Sequence, residues 1–219
     1  TRDVVAAHPE RRLNVVLIVV ESLSAKFLGA FGNDEGLTPN LDRLAQEGLL
    51  FTNLRATGTR TVRGLEAIAL SVPPTPGYSI VKRPQSANLF SLGTVFREHG
   101  YRSRFFYGGY SYFDNMGPFF AGNGFDVIDR SDLSGDEAEF ANAWGVADEF
   151  VFRRVLREAR RSHEAGESFL SLVLTTSNHR PFTYPEGRID IPSGEGRAGA
   201  VKYTDWAIGS FIAEARKED

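Results

Sequence analysis

Cysteine is absent from the 219 residues, which excludes disulfide staples, zinc–thiolate sites and a cysteine nucleophile. Histidine occurs only four times, too sparsely for a His-rich metal tract. No charge of one sign dominates: 25 Lys and Arg against 28 Asp and Glu give a formal net charge of −3, so electrostatics does not favour nucleic acid as a partner. Long apolar runs are missing too. The longest, Val15 to Val20, is far short of the ~20 residues that span a bilayer, and the first residues lack a charged-then-apolar signal with a cleavage site. What remains, 42% hydrophobic and 24% charged residues, is the composition of an ordinary globular domain.

Apolar strands alternate with amphipathic helices, which predicts an α/β domain with a mainly parallel sheet. Residues 14–20 (NVVLIVV) are apolar and largely β-branched, as a strand covered on both faces should be. Thr38-Pro39 reads as a helix N-cap followed by proline in the first turn. Leu41, Leu44 and Ala45 form that helix's inner stripe and Gly48 stops it. Leu49 to Leu54 is expected as a second strand. Thr61 is placed to cap a helix carrying Leu65, Ile68 and Ala69 inward, and residues 73–77 (PPTPG) are a loop by composition. Further helices are expected over 88–99, over 149–161 with Phe152, Leu156 and Ala159 facing inward, and over 202–215. Strands are expected over 102–107 and 169–175. The chain opens on Thr1 rather than methionine, and it closes just after a helix, where a doubly wound fold would supply another strand. Both are expected of a portion of a longer chain, with the sheet left open on one side.

Open α/β sheets bind ligands beyond the carboxyl ends of their strands, and three polar groups fall there. Glu21 follows the first strand, where a carboxylate serves either as an oxygen ligand for a hard divalent cation or as a charged residue opening a solvated loop. Thr61 lies in TGTRTVRG (57–64), between a strand and a helix. A hydroxyl there sits at the positive end of a helix dipole, with Arg60 and Arg63 available to anionic oxygens; the plainer role is a cap with solvated arginines. His179 closes TTSNH (175–179) after the strand from Phe169, suited to a phosphate contact or proton transfer, or to a structural hydrogen bond. His8, His99 and His163 have no strand-end context and are expected at the surface.

Taken together, the segments form a recognisable order. VVESLS (19–24), LTPNLD (37–42), GLLFTN (48–53), GTRTVRGLE (58–66), YGGYSYFDNM (107–116) and SNHRPF (177–182) resemble, in sequence, the sulfatase-like phosphoglycerol transferases of the alkaline-phosphatase superfamily. These include lipoteichoic acid synthases and periplasmic-glucan transferases. The resemblance implies an alkaline-phosphatase-like sandwich, with residues 13–219 as part of the catalytic domain and 1–12 as an extension or linker. It implies Glu21 and Thr61 as ligands of Mn2+ or Mg2+, and Thr61 as the nucleophile that becomes phosphorylated. His179, Arg60, Arg63 and Tyr112 would contact substrate. The donor would be a membrane lipid head group, and the acceptor a glycan or glycerophosphate polymer. The site would face the outside of the cytoplasmic membrane. Two departures stand out. The family's late Asp-His metal pair has no counterpart, since no Asp-His dipeptide occurs in the chain, and it is expected downstream of Asp219. Tyr110 and Tyr112 occupy a segment where relatives often carry a basic residue. Threonine at the nucleophile position, with no cysteine, speaks against the formylglycine chemistry of classical sulfatases. A hydrolase using water as acceptor and a non-catalytic binding domain remain open alternatives.

Overall fold

The computed structural model describes residues 9, 11–73 and 75–218. The expected extension 1–12, His8 included, lies mostly outside the described residues, as does Pro74 in the predicted loop. Strands β1 (Val15–Val19), β2 (Arg102–Tyr107), β3 (Asp126–Ile128) and β4 (Phe169–Leu174) form one sheet in the order β1-β4-β2-β3. Every pairing between these strands is parallel. The register sets Val19 and Tyr107 on either side of Leu174, so β1, β4 and β2 end level on one rim.

Alternation along each strand divides the apolar residues between two cores. Phe106 and Val173, with Ile18, pack under α5 (Asp148–Glu164), α6 (Arg197–Ala215) and α1 (Pro39–Glu47). Phe105, Leu172 and Leu174, with Val19, pack under α2 (Thr61–Leu70), α3 (Leu92–Glu98) and α4 (Met116–Ala121). Covering the sheet on both faces explains why β4 reads FLSLVL with all six residues buried. This is the expected sandwich with a parallel centre. Among the described residues no helix is long and apolar enough to cross a membrane.

Several expectations shift in the structure. Leu49–Leu54 forms no strand: it is irregular, with Leu49, Phe51 and Leu54 exposed and paired to none of the sheet's four strands. Apolarity alone suggests a strand there, but a strand exists only where a neighbour accepts its hydrogen bonds. Thr38 occupies the N-cap of α1 without capping it by its side chain. That work falls to Asp205 of α6, which accepts from the N–H groups of Asn40 (3.1 Å) and Leu41 (2.8 Å). Helix α3 begins at Leu92, capped by Ser91, whose oxygen accepts from the N–H of Thr94. On α5 the buried stripe is Val151, Phe152, Val155 and Glu158, with Leu156 and Ala159 only half-buried. Strand β3, three residues long, is too short for its sequence pattern to announce it. His99 and His163 are exposed, as expected.

Candidate active site

The level rim brings Glu21 and Thr61 together. Backbone bonds from the loop after β4 fix Glu21: its N–H donates to Thr175 Oγ1 (2.9 Å), and Asn178 Nδ2 donates to its carbonyl oxygen (3.0 Å). Its carboxylate is thereby presented sideways. Oε2 accepts from the Thr61 hydroxyl at 2.9 Å, and Oε1 accepts from Ser22 Oγ at 2.9 Å. Thr61 is the first residue of α2, not its cap, which is Arg60 in extended conformation. Its hydroxyl therefore stands beside the unpaired N–H groups of the helix N-terminus, where negative charge is favoured.

Around this pair lies a cavity of about 110 Å³, lined by Glu21, Arg60, Thr61, Tyr107, Asp114, Trp144, Thr175, Thr176 and His179, among others. That is well below the ~300 Å³ at which drug-sized pockets begin, so the space suits a phosphoryl-sized group. Arg60 is exposed at its edge, and no hydrogen bond among the described residues engages its guanidinium. His179 Nδ1 lies 3.2 Å from the carbonyl oxygen of Arg180. A carbonyl only accepts, so Nδ1 carries the hydrogen and Nε2 is the nitrogen left for the cavity. The indole of Trp144 packs on the imidazole with ring centroids 3.8 Å apart. Tyr107 is buried, and the pKa of its phenol is pushed up to about 12 by burial and by the charges of Glu21 and Asp114, so it stays a neutral O–H donor.

Beneath the rim, Asp148 fixes the loop that carries His179. Its Oδ1 accepts from the N–H groups of Thr176 (2.7 Å) and Ser177 (3.2 Å), and its Oδ2 from Thr204 Oγ1 (3.0 Å). Burial pushes this carboxyl above the usual range against the pull of those bonds. Gly108, after β2, keeps the next wall close: a Cβ there would lie 2.6 Å from the Val146 carbonyl oxygen. This approach seats the 144–146 turn that bears Trp144.

Not every predicted residue reaches the cavity. Arg63 turns away; its guanidinium pairs with Glu66 (2.8 Å) and donates to the carbonyls of Thr75 and Gly77. Tyr112 is exposed, stacked on Tyr110 with centroids 5.7 Å apart, and does not line the cavity. Conversely, Tyr107, Asp114, Trp144 and Thr176 line it unannounced. Tyr107 and Thr176 sit at strand ends, where the carboxyl-end rule reaches them. Trp144 is delivered by a long-range turn with no local sequence signal.

For a divalent metal, Glu21 and Thr61 present two oxygen donors side by side, the right chemistry for a hard cation but a fraction of the roughly six such ions take. Among the described residues no three His, Asp or Glu side chains come together as a ligand set. The two residues thus fit as part of a site.

A parallel α/β/α sandwich with a carboxylate–hydroxyl pair on its carboxyl rim defines the alkaline-phosphatase-like class. A sulfatase family model matches residues 13–219, and the chain belongs to that family. Phosphoglycerol transferase I of Salmonella paratyphi B is 28% identical over 184 residues, covering 79% of this chain and 24% of that protein. An alkaline phosphatase superfamily protein from Vibrio parahaemolyticus superposes with a TM-score of 0.89 at 42% identity, over 96% of this chain and 52% of that one. The lipoteichoic acid synthase LtaP from Listeria monocytogenes shares the fold with a TM-score of 0.82 at 22% identity, over 94% and 53% of the two chains. The chain thus spans about a quarter of that transferase's length and about half of either solved structure.

Proposed function

We propose that this chain forms part of the catalytic domain of a phosphoglycerol transferase, with Thr61 as the nucleophile. The observation that carries the reading is the 2.9 Å hydrogen bond from Thr61 Oγ1 to Glu21 Oε2, at a helix N-terminus and inside a phosphoryl-sized cavity. Thr61 Oγ1 attacks the phosphorus of a phosphatidylglycerol-type lipid. The Oγ1–P bond forms as the bond to the lipid alcohol breaks: the threonine's proton passes toward the Glu21 carboxylate, and the departing lipid oxygen takes a proton from water to leave as the alcohol. An acceptor hydroxyl then attacks the same phosphorus and frees Thr61. Arg60 and the α2 N-terminus offset charge on the phosphoryl oxygens, while His179 in its imidazolium form donates from Nε2 to one of them. Glu21 and Thr61 would hold Mn2+ or Mg2+ together with ligands from outside this chain, and such an ion supplies Lewis-acid stabilisation and a lower hydroxyl pKa. The family resemblance of the sequence extends the reading to a glycan or glycerophosphate acceptor and a site on the outer face of the cytoplasmic membrane.

Product analysis on the full-length protein tests this reading. With phosphatidylglycerol and an alcohol acceptor, the expected product is the glycerophosphorylated acceptor, and Thr61→Ala abolishes it. Free glycerol phosphate as sole product, with the acceptor untouched, would replace transfer by hydrolysis.

A further inference from the structure

Outside the cavity, two tyrosines face solvent from one loop. Tyr112 is 77% exposed and Tyr110 45%, yet their rings are stacked, with centroids 5.7 Å apart and planes inclined by 21°. The backbone beneath them is held from inside. Ser111, between the two, is buried, and its N–H and hydroxyl donate to Asp129 Oδ2 at 2.8 and 2.6 Å. Asp129 Oδ1 accepts in turn from the N–H and hydroxyl of Ser131, at 2.8 and 2.6 Å. The carbonyls of Tyr110 and Tyr112 accept from the N–H groups of Phe113 (3.1 Å) and Asn115 (3.2 Å). Arg130 lies over the Tyr110 ring, 5.2 Å from its centroid, and its guanidinium donates to the Asn142 carbonyl at 3.2 Å. The loop thus spends its polar groups inward and holds two flat side chains outward, so a ligand that lands on them pays little ordering entropy.

The aromatic row continues to the cavity mouth. Phe113, next in sequence, meets Trp144 edge-on with centroids 6.0 Å apart, and both line the cavity that holds Thr61. A molecule that brings a hydroxyl to the phosphorus from this side crosses the tyrosine pair. Exposed, nearly parallel tyrosine rings suit a ligand that is apolar on its faces and polar at its edge. A pyranose ring with equatorial hydroxyls is built that way: C–H groups cover its faces and hydroxyls surround its edge. Tyrosine offers a π face to the first and an O–H to the second. A glycerophosphate polymer is a polyanion and calls for exposed cations instead. Arg130 is engaged as described, Lys82 pairs with Asp114 at 2.6 Å, and the carboxylates of Asp114 and Asp129 add repulsion.

We propose that Tyr110 and Tyr112 form a platform on which the sugar rings of a neutral glycan acceptor stack, outside the cavity that takes the phosphoryl group. The proposal rests on the transferase reading and deepens it by choosing between its two acceptor classes. The test is calorimetry on the full-length protein with a neutral β-linked gluco-oligosaccharide, a glycerophosphate oligomer of equal length and a soluble short-chain phosphatidylglycerol. Wild type is expected to bind the oligosaccharide more tightly than the glycerophosphate oligomer. Tyr112→Ala is expected to weaken the oligosaccharide about tenfold, the scale of a lost aromatic contact, and to keep the affinity for the short-chain lipid. Tyr112→Phe retains the ring and most of the oligosaccharide affinity. Tyr112→Leu, apolar but not flat, loses as much as the alanine variant and replaces it in the test should that variant misfold. Oligosaccharide binding that survives loss of the ring overturns the proposal. So does a wild type that prefers the glycerophosphate oligomer. Weaker lipid binding with unchanged oligosaccharide binding overturns it as well, and would turn the pair toward the membrane. Oligosaccharide binding that depends on Tyr112, in a protein whose Thr61 never carries an adduct, would remove the transferase reading and keep the platform.

Discussion

Two carboxylates at the same end of the sheet are treated in opposite ways. Asp148 is buried, and both its oxygens are used by N–H and O–H donors of the chain itself. Glu21 is half-buried, and among the described residues its carboxylate accepts from only two hydroxyls, those of Ser22 and Thr61. A carboxylate saturated by backbone donors is committed to holding a loop. One that meets two hydroxyls beside a cavity keeps lone pairs for a ligand or a proton. Residue type does not separate scaffold from chemistry here; the number and kind of partners does.

The sharpest way to break the comparison is to remove each side in turn. Thr61→Ala in the full-length protein is expected to lower turnover by about 10³-fold or more, as loss of a nucleophile does. Stability should change by no more than ~1 kcal/mol, because the substitution removes a single hydrogen bond at a half-buried position. Steady-state kinetics and a urea midpoint measure both; a large stability loss would make the pair structural. Asp148→Ala should behave in reverse. It orphans two backbone N–H groups and the Thr204 hydroxyl, and is expected to destabilise by about 3 kcal/mol or more. A stability change under ~1 kcal/mol would show that the loop after β4 does not depend on it.

A smaller effect sharpens the same point elsewhere. Asp205→Ala removes the acceptor for the first turn of α1 and should cost about 1–2 kcal/mol, the value of a lost cap, read again from the urea midpoint. Thr38→Ala probes the residue that the sequence points to, and should not reproduce the loss of capping.

The smallest effect concerns pH. Burial raises the Asp148 carboxyl in the folded state above its unfolded value of ~3.9. Between those two values the native protein binds a proton that the unfolded chain does not. This contribution to stability is therefore full at low pH, falls as pH rises through the window, and is flat above it. Asp148→Asn keeps an acceptor oxygen and has no charge to lose or gain, so the difference between wild type and variant should follow that slope. Urea midpoints across the window measure it. A wild type that gains stability relative to Asp148→Asn as pH rises would reverse the sign.

The layered α/β fold was legible because β1 and β4 are apolar on both faces, which a covered parallel strand requires. Glu21, Thr61 and His179 were legible because each follows or precedes an element boundary at the carboxyl rim. Leu49–Leu54 misled because apolarity carries no information about a pairing partner. Arg63 misled because its proximity to Thr61 in sequence places it about half a helical turn away, on the side of Glu66. Asp205 and Trp144 were illegible: each acts on residues far away in the chain, and neither has a local signature.

The central claim is that the sparsely partnered pair, Glu21 and Thr61, is where covalent chemistry happens. Peptide mass spectrometry of the full-length protein, quenched during incubation with phosphatidylglycerol, tests it most directly. The account predicts a phosphoglyceryl mass added to Thr61 in wild type and absent from Thr61→Ala. The same mass on any other residue, or turnover that survives Thr61→Ala, would contradict it.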